Sequence, residues 1–228
     1  MAPVKRSPMI CYYSKLCKLS VFLFAIVGLC MCALICVNEY FRFMVLETAS
    51  HYVCKVRSPH MVVVGDSIGA GGRHWAGRLE LLPLSTKNLA GDGYTFHQLP
   101  GQISKALAYK PKFIIVFAGT NDAFAIHSGR LSFDELKVDV QNIIVLCKGV
   151  KCIFVLPPPS KSPEINYILV QVRETIKSVA DQNGVALIDP VDALSDDDGI
   201  ILGKFTTDGV HLSSQGYVVI SSKIKNNL

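Results

Sequence analysis

Three continuous apolar runs constrain the fold of this 228-residue chain more than any other feature of its sequence. They are Met61–Gly65, Phe113–Ala118 and Cys152–Leu156, and each of them contains β-branched residues. An apolar run without polar alternation indicates a strand that is covered on both faces, as in a parallel sheet flanked by helices. We therefore expect an α/β domain.

Weaker strand patterns at Thr86–Ala90 and Val185–Ile188 bring the predicted number of strands to five. Segments with helical patterns alternate with these strands, at Ala76–Leu82, Gln98–Tyr109, Phe133–Cys147, Pro163–Gln182 and Ser213–Lys225. Strands that alternate with helices form a parallel sheet, and right-handed crossovers limit its topology. The prediction is a three-layer α/β/α sandwich, with a five-stranded parallel sheet in the flavodoxin-like order 2-1-3-4-5.

Capping signals delimit two of the predicted helices. Ser132 directly precedes the helical pattern at Phe133–Cys147, and Glu135 stands three residues after Ser132, so the two residues can form a capping box. This pair predicts a helix that begins at residue 133. Asn183 and Gly184 follow the long helix that begins at Pro163. This pair predicts the end of that helix, because glycine and asparagine adopt the left-handed conformation of a helix C-terminus.

The N-terminal part of the chain has a different pattern. Leu19–Val37 is a run of nineteen residues without a charge. As a helix it would span about 28 Å, close to the hydrocarbon thickness of a bilayer. Four lysine and arginine residues precede it, at positions 5, 6, 15 and 18. By the positive-inside rule, the N-terminus lies in the cytoplasm and the remainder of the chain lies on the far side of the membrane.

The predicted organisation therefore has four parts: a short basic cytoplasmic tail over 1–18, a transmembrane signal anchor over 19–37, a juxtamembrane segment over 38–58 and a folded domain over 59–228. A cleaved signal peptide is the alternative for the apolar segment, although no small-x-small cleavage site follows it directly. The net charge is +5, and no lysine–arginine cluster stands out beyond the N-terminus. Nucleic acid is therefore not an expected partner.

Eight cysteines divide unevenly along the chain, and only Cys54, Cys147 and Cys152 lie beyond the apolar segment and its flanks. The sequence has no CxxC pair and no histidine cluster, so we expect no metal site. Cys147 and Cys152 flank a short connection and could form a disulfide in an oxidising compartment. Two unpaired thiols, at the end of a helix and the start of a strand, are the alternative.

Two distant segments supply the groups that acyl-transfer chemistry needs. Ser67 follows the first predicted strand, and the carboxyl ends of strands are where open α/β sheets have their active sites. His211 lies three residues after Asp208. A serine hydroxyl is a weak nucleophile until a base removes its proton, and a carboxylate can orient a histidine for that task. In isolation, Ser67 would be a helix N-cap and His211 a surface or half-buried histidine.

Four short blocks occur in order: Gly65-Asp66-Ser67-Ile68, Asn88-Leu89-Ala90-Gly91-Asp92-Gly93, Gly119-Thr120-Asn121-Asp122 and Asp208-Gly209-Val210-His211. With these blocks the chain resembles the SGNH hydrolases, also called the GDSL-like lipase/acylhydrolase family, over residues 60–226. The resemblance implies Ser67 as nucleophile, His211 as general base and Asp208 as the residue that orients it. It also implies an oxyanion hole formed by the N–H groups of Ser67 and Gly93 and the side-chain amide of Asn121. No metal or organic cofactor is implied.

The blocks depart from the family pattern in two places. Ile68 stands where the first block usually ends in leucine, and Ala90 stands where the second block commonly has glycine. The glycines that follow Ser67 predict that the next helix starts late, near Arg73. We expect Asp66 to support a local turn without joining the triad, and Asp122 to have a structural role.

The sequence thus predicts a membrane-anchored serine esterase that cleaves carboxylic esters through an acyl-enzyme on Ser67. Its substrate would be a small acyl ester or an acylated glycan or lipid. Its active site would face the periplasm, the exterior or an organelle lumen. The alternatives are an O-acetyl esterase or acetyltransferase that acts on a glycan, and a non-catalytic binding domain.

Overall fold

A computed structural model describes residues 58–71 and 86–228 of the chain. The predicted membrane anchor at 19–37, the predicted helix at 76–82 and Cys54 lie outside these ranges. Within the ranges, no helix has both the length and the apolar character needed to cross a bilayer.

The sheet consists of five strands: β1 (Met61–Gly65), β2 (Thr86–Asn88), β3 (Phe113–Phe117), β4 (Lys151–Val155) and β5 (Ala186–Ile188). Their order is β2-β1-β3-β4-β5, and every neighbouring pair is parallel. The predicted order 2-1-3-4-5 is confirmed. The second strand is two residues shorter than expected: it ends at Asn88, although the N–H of Leu89 still donates to the carbonyl of Val63 in β1 at 2.8 Å.

The helices of the described ranges are α1 (Ser67–Ala70), α2 (Pro100–Ala108), α3 (Thr120–His127), α4 (Phe133–Leu146), α5 (Pro163–Gln182), α6 (Val191–Leu194) and α7 (Ser214–Lys225). Short 3₁₀ turns occur at Phe96–Gln98 and Gly203–Phe205. Both capping predictions are confirmed: Ser132 and Glu135 form a capping box at the start of α4, and α5 ends at Gln182, with Asn183 as its C-cap and Gly184 next, at φ 65°.

Apolar side chains cover the sheet on both faces, as the continuous runs predicted. Val62 and Ile114 belong to one buried cluster, which includes residues of α2, α4 and α5. Their neighbours Met61 and Ile115 belong to a second cluster, which includes residues of α6 and α7. Successive residues of a strand point to opposite faces, so these two clusters are the two interfaces of a three-layer sandwich.

Helix α3 lies between β3 and α4, where the sequence patterns predicted no helix. Gly119 adopts φ 119°, and the helix starts at the next residue. The positive φ lets the chain turn abruptly from β3 into the helix, a conformation that favours glycine. The start of α2 also differs from the prediction: a 3₁₀ turn at Phe96–Gln98 precedes it, and the helix begins at Pro100, the position that proline prefers.

Cys147 and Cys152 are free thiols in this structure. Cys147 caps the end of α4, and Cys152 is the second residue of β4. The structure therefore has the second of the two alternatives, a pair of unpaired thiols at the end of a helix and the start of a strand.

Candidate active site

The end of β1 places Ser67 at the carboxyl edge of the sheet. Ser67 is the first residue of the short helix α1, and the Asp66 side chain accepts hydrogen bonds from the N–H groups of Ile68 at 2.9 Å and Gly69 at 3.4 Å. The expected turn-supporting role of Asp66 is thus confirmed. The helical turn begins at Ser67 itself and closes at Gly71; the expected late start near Arg73 lies outside the described residues.

The structure brings Ser67, His211 and Asp208 together. The Ser67 Oγ atom lies 3.1 Å from His211 Nε2, although 144 positions separate the two residues. On the other side of the ring, His211 Nδ1 lies 2.6 Å from Asp208 Oδ2. The second oxygen of Asp208 accepts the backbone N–H of His211 at 2.7 Å. The carboxylate therefore holds both the ring and the backbone of the histidine.

These contacts determine which ring nitrogen of His211 can act as a base. The hydrogen bond to His211 lowers the pKa of Asp208 to about 2, so its carboxylate is ionised at neutral pH. An ionised carboxylate only accepts, so His211 Nδ1 must donate. In the neutral ring, Nε2 then has a free lone pair towards the Ser67 hydroxyl. This is the arrangement that general-base activation of a serine needs.

Backbone contacts hold the loop that presents His211. The Thr206 hydroxyl donates to the His211 carbonyl at 2.8 Å and accepts the N–H of Gly209 at 2.8 Å. The Gly209 carbonyl in turn accepts the N–H of Lys161, at 2.8 Å, from the loop that follows β4. The imidazole is therefore fixed by a loop with its own hydrogen bonds, although its side chain is exposed.

The two further oxyanion residues predicted from the resemblance lie on neighbouring segments. Gly93 is exposed and adopts φ 78°. Asn121 is the second residue of α3, and its Nδ2 atom donates to the carbonyl of Tyr94 at 3.1 Å. The amide of Asn121 thus contacts the residue that directly follows Gly93. The roles of both groups as oxyanion donors stay predictions.

Asn88 connects the Gly93 loop to the serine turn. Its Nδ2 donates to the carbonyls of Gly69 at 3.1 Å and Ala70 at 3.2 Å, and its Oδ1 accepts the N–H of Ala90 at 3.0 Å. Ala90, the departure from the family pattern, is accommodated in this turn. The turn geometry therefore relies on the asparagine and does not need a glycine at position 90.

Two supports of the serine turn were missed by sequence reasoning. Gln102 of α2 is buried; its Oε1 accepts the N–H of Gly65 at 2.8 Å, and its Nε2 donates to the carbonyl of Gly65 at 3.1 Å. The hydroxyl of Tyr217 on α7 donates to the carbonyl of Ile68 at 3.0 Å. A glutamine among the apolar positions of α2 was the available signal for the first, whereas nothing in the sequence marks the second.

Two carboxyl groups are buried beneath this site. Asp122 is fully buried and accepts the backbone N–H of Phe96 at 3.1 Å, and Asp66 is 1 % exposed. Burial raises the pKa of Asp122 to about 7, against the hydrogen bond from Phe96, and the charges of Asp66 and Asp139 raise it further. Burial likewise raises the pKa of Asp66 to about 6. Such shifts are typical of functional sites.

The shift of Asp122 makes a prediction about stability and pH. A carboxyl group whose pKa is higher in the folded than in the unfolded state stabilises the fold. This contribution is complete when the pH is below the unfolded-state pKa of 3.8, and it is lost as the pH rises through the folded-state pKa of about 7. The wild type is therefore expected to lose about 3 kcal/mol of unfolding free energy between pH 5 and pH 8 that Asp122→Asn, which has no titrating group at this position, does not lose. Urea unfolding at both pH values measures this difference. Asp181→Asn, at an exposed position, should follow the wild type, and equal pH dependence in all three proteins would contradict the prediction.

Within residues 58–71 and 86–228, no group of three or more histidine, cysteine, aspartate or glutamate side chains is placed to hold a metal ion. The chemical groups at the site are a hydroxyl, an imidazole, a carboxylate and amide donors. Together they can activate a serine for attack on a carbonyl carbon.

Solved structures resemble this fold. They include a GDSL-like lipase from Bacteroides thetaiotaomicron (18% identity, TM-score 0.64, covering 81% of this chain and 97% of that one). They also include the lipase/acylhydrolase from Enterococcus faecalis (21% identity, TM-score 0.63, covering 74% of this chain and 94% of that one). A third is an acetylxylan esterase from Geobacillus stearothermophilus, solved as a catalytic mutant (16% identity, TM-score 0.61, covering 75% of this chain and 94% of that one).

No curated protein matches the chain in sequence. The sequence model of the GDSL-like Lipase/Acylhydrolase family, however, matches residues 63–219, a range that contains Ser67, His211 and the strands β2 to β5. The chain therefore belongs to the GDSL-like lipase/acylhydrolase family and is an ester-cleaving hydrolase.

Proposed function

We propose that this enzyme hydrolyses carboxylic esters through a covalent acyl-enzyme on Ser67. The main support is the continuous contact from Ser67 Oγ to His211 Nε2 at 3.1 Å and from His211 Nδ1 to Asp208 Oδ2 at 2.6 Å. His211 takes the hydroxyl proton while Ser67 attacks the carbonyl carbon, and then protonates the leaving alcohol. Water, activated by the same imidazole, releases the acyl group as a carboxylic acid.

Three donors would stabilise the tetrahedral oxyanion in this mechanism: the N–H groups of Ser67 and Gly93 and the Nδ2 group of Asn121. Ser67 is the first residue of a helical turn, and N–H groups at this position have no partner within the helix. Gly93 leaves its peptide open to a substrate, since no atom beyond its two chain neighbours lies within 4 Å of where a Cβ would be. Asn121 has two amide hydrogens, and the contact with Tyr94 uses one of them.

Asn121→Ala tests this part of the proposal. Loss of one oxyanion donor is expected to lower kcat about 10²- to 10³-fold with a small change in KM, because the bond strengthens in the transition state. Steady-state hydrolysis of a p-nitrophenyl ester measures both constants. Asn183→Ala, at the far end of α5, is the matched control and should keep wild-type kcat. Wild-type kcat in Asn121→Ala would remove this residue from the oxyanion hole.

Labelling by a fluorophosphonate tests the nucleophile directly. The folded enzyme should form one adduct, which peptide mass spectrometry places on Ser67, and an ester substrate should slow the reaction. His211→Ala should not be labelled at a measurable rate, since the hydroxyl lacks its base. An adduct on another residue, with Ser67 unmodified, would contradict the proposal.

A glycan O-acetyl ester is the second candidate substrate. The side chains of His211 and Asp208 are 47% and 53% exposed, so a bulky alcohol can approach the base from solvent. An acetyl group would occupy little space beside Ser67, whereas the polymer would remain outside. The acetylxylan esterase that shares this fold acts on such an ester. Transfer of the acetyl group to another sugar hydroxyl would follow if an alcohol replaced water in the second step.

A panel of esters separates the candidates. Acetyl, butyryl and octanoyl p-nitrophenyl esters report the preferred acyl length, and an acetylated oligosaccharide reports the alcohol. Under the glycan hypothesis, kcat/KM is highest for the acetylated sugar, and mass spectrometry finds free acetate or a shifted acetyl group. Faster turnover of octanoyl than of acetyl esters would favour a lipid or other long-chain ester.

The proposed location is a membrane, with the N-terminus in the cytoplasm and the enzyme domain on the far side. The support is the uncharged segment Leu19–Val37 and the four basic residues that precede it. The full chain is expected to remain in the membrane fraction after alkaline carbonate extraction. In intact spheroplasts or right-side-out vesicles, added protease should digest the domain. Release of a mature protein that lacks residues 1–37 would instead indicate a cleaved signal peptide.

A further inference from the structure

Asp122 and Asn121 are adjacent in α3 and bind the same short segment of chain. The side chain of Asn121 donates to the carbonyl of Tyr94 at 3.1 Å. The two oxygens of Asp122 lie 3.1 and 3.3 Å from the backbone nitrogen of Phe96. The segment between Gly93 and Phe96 is therefore attached to the start of α3 through two neighbouring side chains.

We propose that Asp122 is a positioning residue of the oxyanion hole: its buried carboxyl group holds the Phe96 N–H and so sets the place of the Gly93 loop relative to Asn121. The inference rests on the proposed roles of Gly93 and Asn121. Asp122 itself does not touch the substrate; it acts through the backbone between two donors.

The loop needs such an attachment because Gly93 is not held by packing. Gly93 and Tyr94 are exposed, and a Cβ at position 93 would have no neighbour within 4 Å. Phe96 is the first residue after them that is buried, with 2 % exposure, and its ring packs against Phe154 of β4 at a centroid distance of 6.0 Å. Asp122 holds the backbone at this same residue, so it defines where the exposed loop ends.

The cost of burial supports a functional role. Asp122 is completely buried, and this burial raises the pKa of its carboxyl group; the charge of Asp66, a second buried carboxyl, raises it further. Two acids in one apolar interior destabilise a fold at neutral pH relative to apolar residues of similar size. An acidic residue that served only to stabilise the start of a helix would interact favourably with the helix dipole from a solvent-exposed position as well. The buried position is instead the one from which a side chain can reach Phe96.

Asp122→Ala and Asp122→Asn distinguish positioning from helix stabilisation. Alanine has no acceptor for the Phe96 N–H, so the oxyanion donors at Gly93 and Asn121 should lose their alignment. We expect kcat to fall about 10- to 100-fold while KM stays within about 3-fold of the wild-type value. Asparagine keeps an acceptor of nearly the same shape, so kcat should stay within about 3-fold of wild type. Hydrogen exchange of the Phe96 amide should be fast in the alanine variant and slow in the asparagine variant.

Val179→Ala is the control for a loss of stability alone. Val179 is buried on α5, near its C-terminal end, and its truncation is expected to lower the melting temperature but leave kcat unchanged. Should Asp122→Ala fail to fold, Asp122→Ser takes its place, because the serine side chain is too short to reach Phe96. Wild-type kcat in the folded alanine or serine variant would overturn the proposal, as would an equal loss of kcat in Asp122→Asn.

Ser67→Ala separates a failure of this inference from a failure of the proposed function. If Ser67→Ala retains hydrolysis, the acyl-enzyme mechanism fails and the oxyanion hole with it. If Ser67→Ala is inactive but Asp122→Ala hydrolyses esters at the wild-type rate, only the positioning role is wrong.

Discussion

Replacing Ser67 with alanine is expected to lower kcat for an aryl ester at least about 10⁴-fold, with unchanged circular dichroism and melting temperature. The reason is that the Ser67 hydroxyl is the group that contacts His211 Nε2, and alanine has no hydroxyl. His211→Ala should cause a loss of similar size, because the serine then has no base. Steady-state hydrolysis of p-nitrophenyl acetate by purified protein measures both effects.

Two matched substitutions control for these losses. Ser104→Ala removes an exposed hydroxyl on α2, and His127→Ala removes an exposed imidazole at the end of α3. Both should hydrolyse the ester at the wild-type rate. Because residues that act as a unit are not additive, the Ser67 and His211 double variant should be no slower than Ser67→Ala alone. Substantial activity in Ser67→Ala would exclude the acyl-enzyme mechanism.

Replacing Gly65 with alanine is expected to destabilise the fold by about 4 kcal/mol or more, enough to leave most of the protein unfolded. Gly65 adopts φ 147°, and a Cβ there would lie 1.9 Å from the carbonyl oxygen of Phe117. That oxygen belongs to the central strand β3, so the clash cannot be relieved by a side-chain movement. The strand end that presents Ser67 would have to separate from its neighbour.

Gly101→Ala is the matched control for the Gly65 substitution. Gly101 is exposed within α2, and a Cβ there would meet no atom within 4 Å. Alanine at a helical position is preferred over glycine, so this variant should be as stable as the wild type or up to about 1 kcal/mol more stable. Urea unfolding followed by circular dichroism measures both variants. A wild-type unfolding midpoint for Gly65→Ala would show that β1 and β3 can separate at little cost.

The sheet is the part of this protein that local sequence pattern determines. Runs such as Met61–Gly65 and Phe113–Ala118 are apolar at every position because both faces of their strands are covered. Short-range signals also determine the ends of α4 and α5, since caps depend on residues within one turn. The Asp208–His211 contact is local in the same sense, because the two residues are three positions apart.

The tertiary structure alone decided how the site is held together. Helix α3 begins where Gly119 turns the chain, in a stretch for which no helical pattern was predicted. The contacts of Gln102 with Gly65, Tyr217 with Ile68 and Asp122 with Phe96 join residues 37, 149 and 26 positions apart. Hydrophobic periodicity and helix capping depend on residues that are close in sequence. A buried polar side chain, in contrast, forms hydrogen bonds with backbone groups that are close to it only in the folded structure. Those partners exist only once the helices have packed on the sheet.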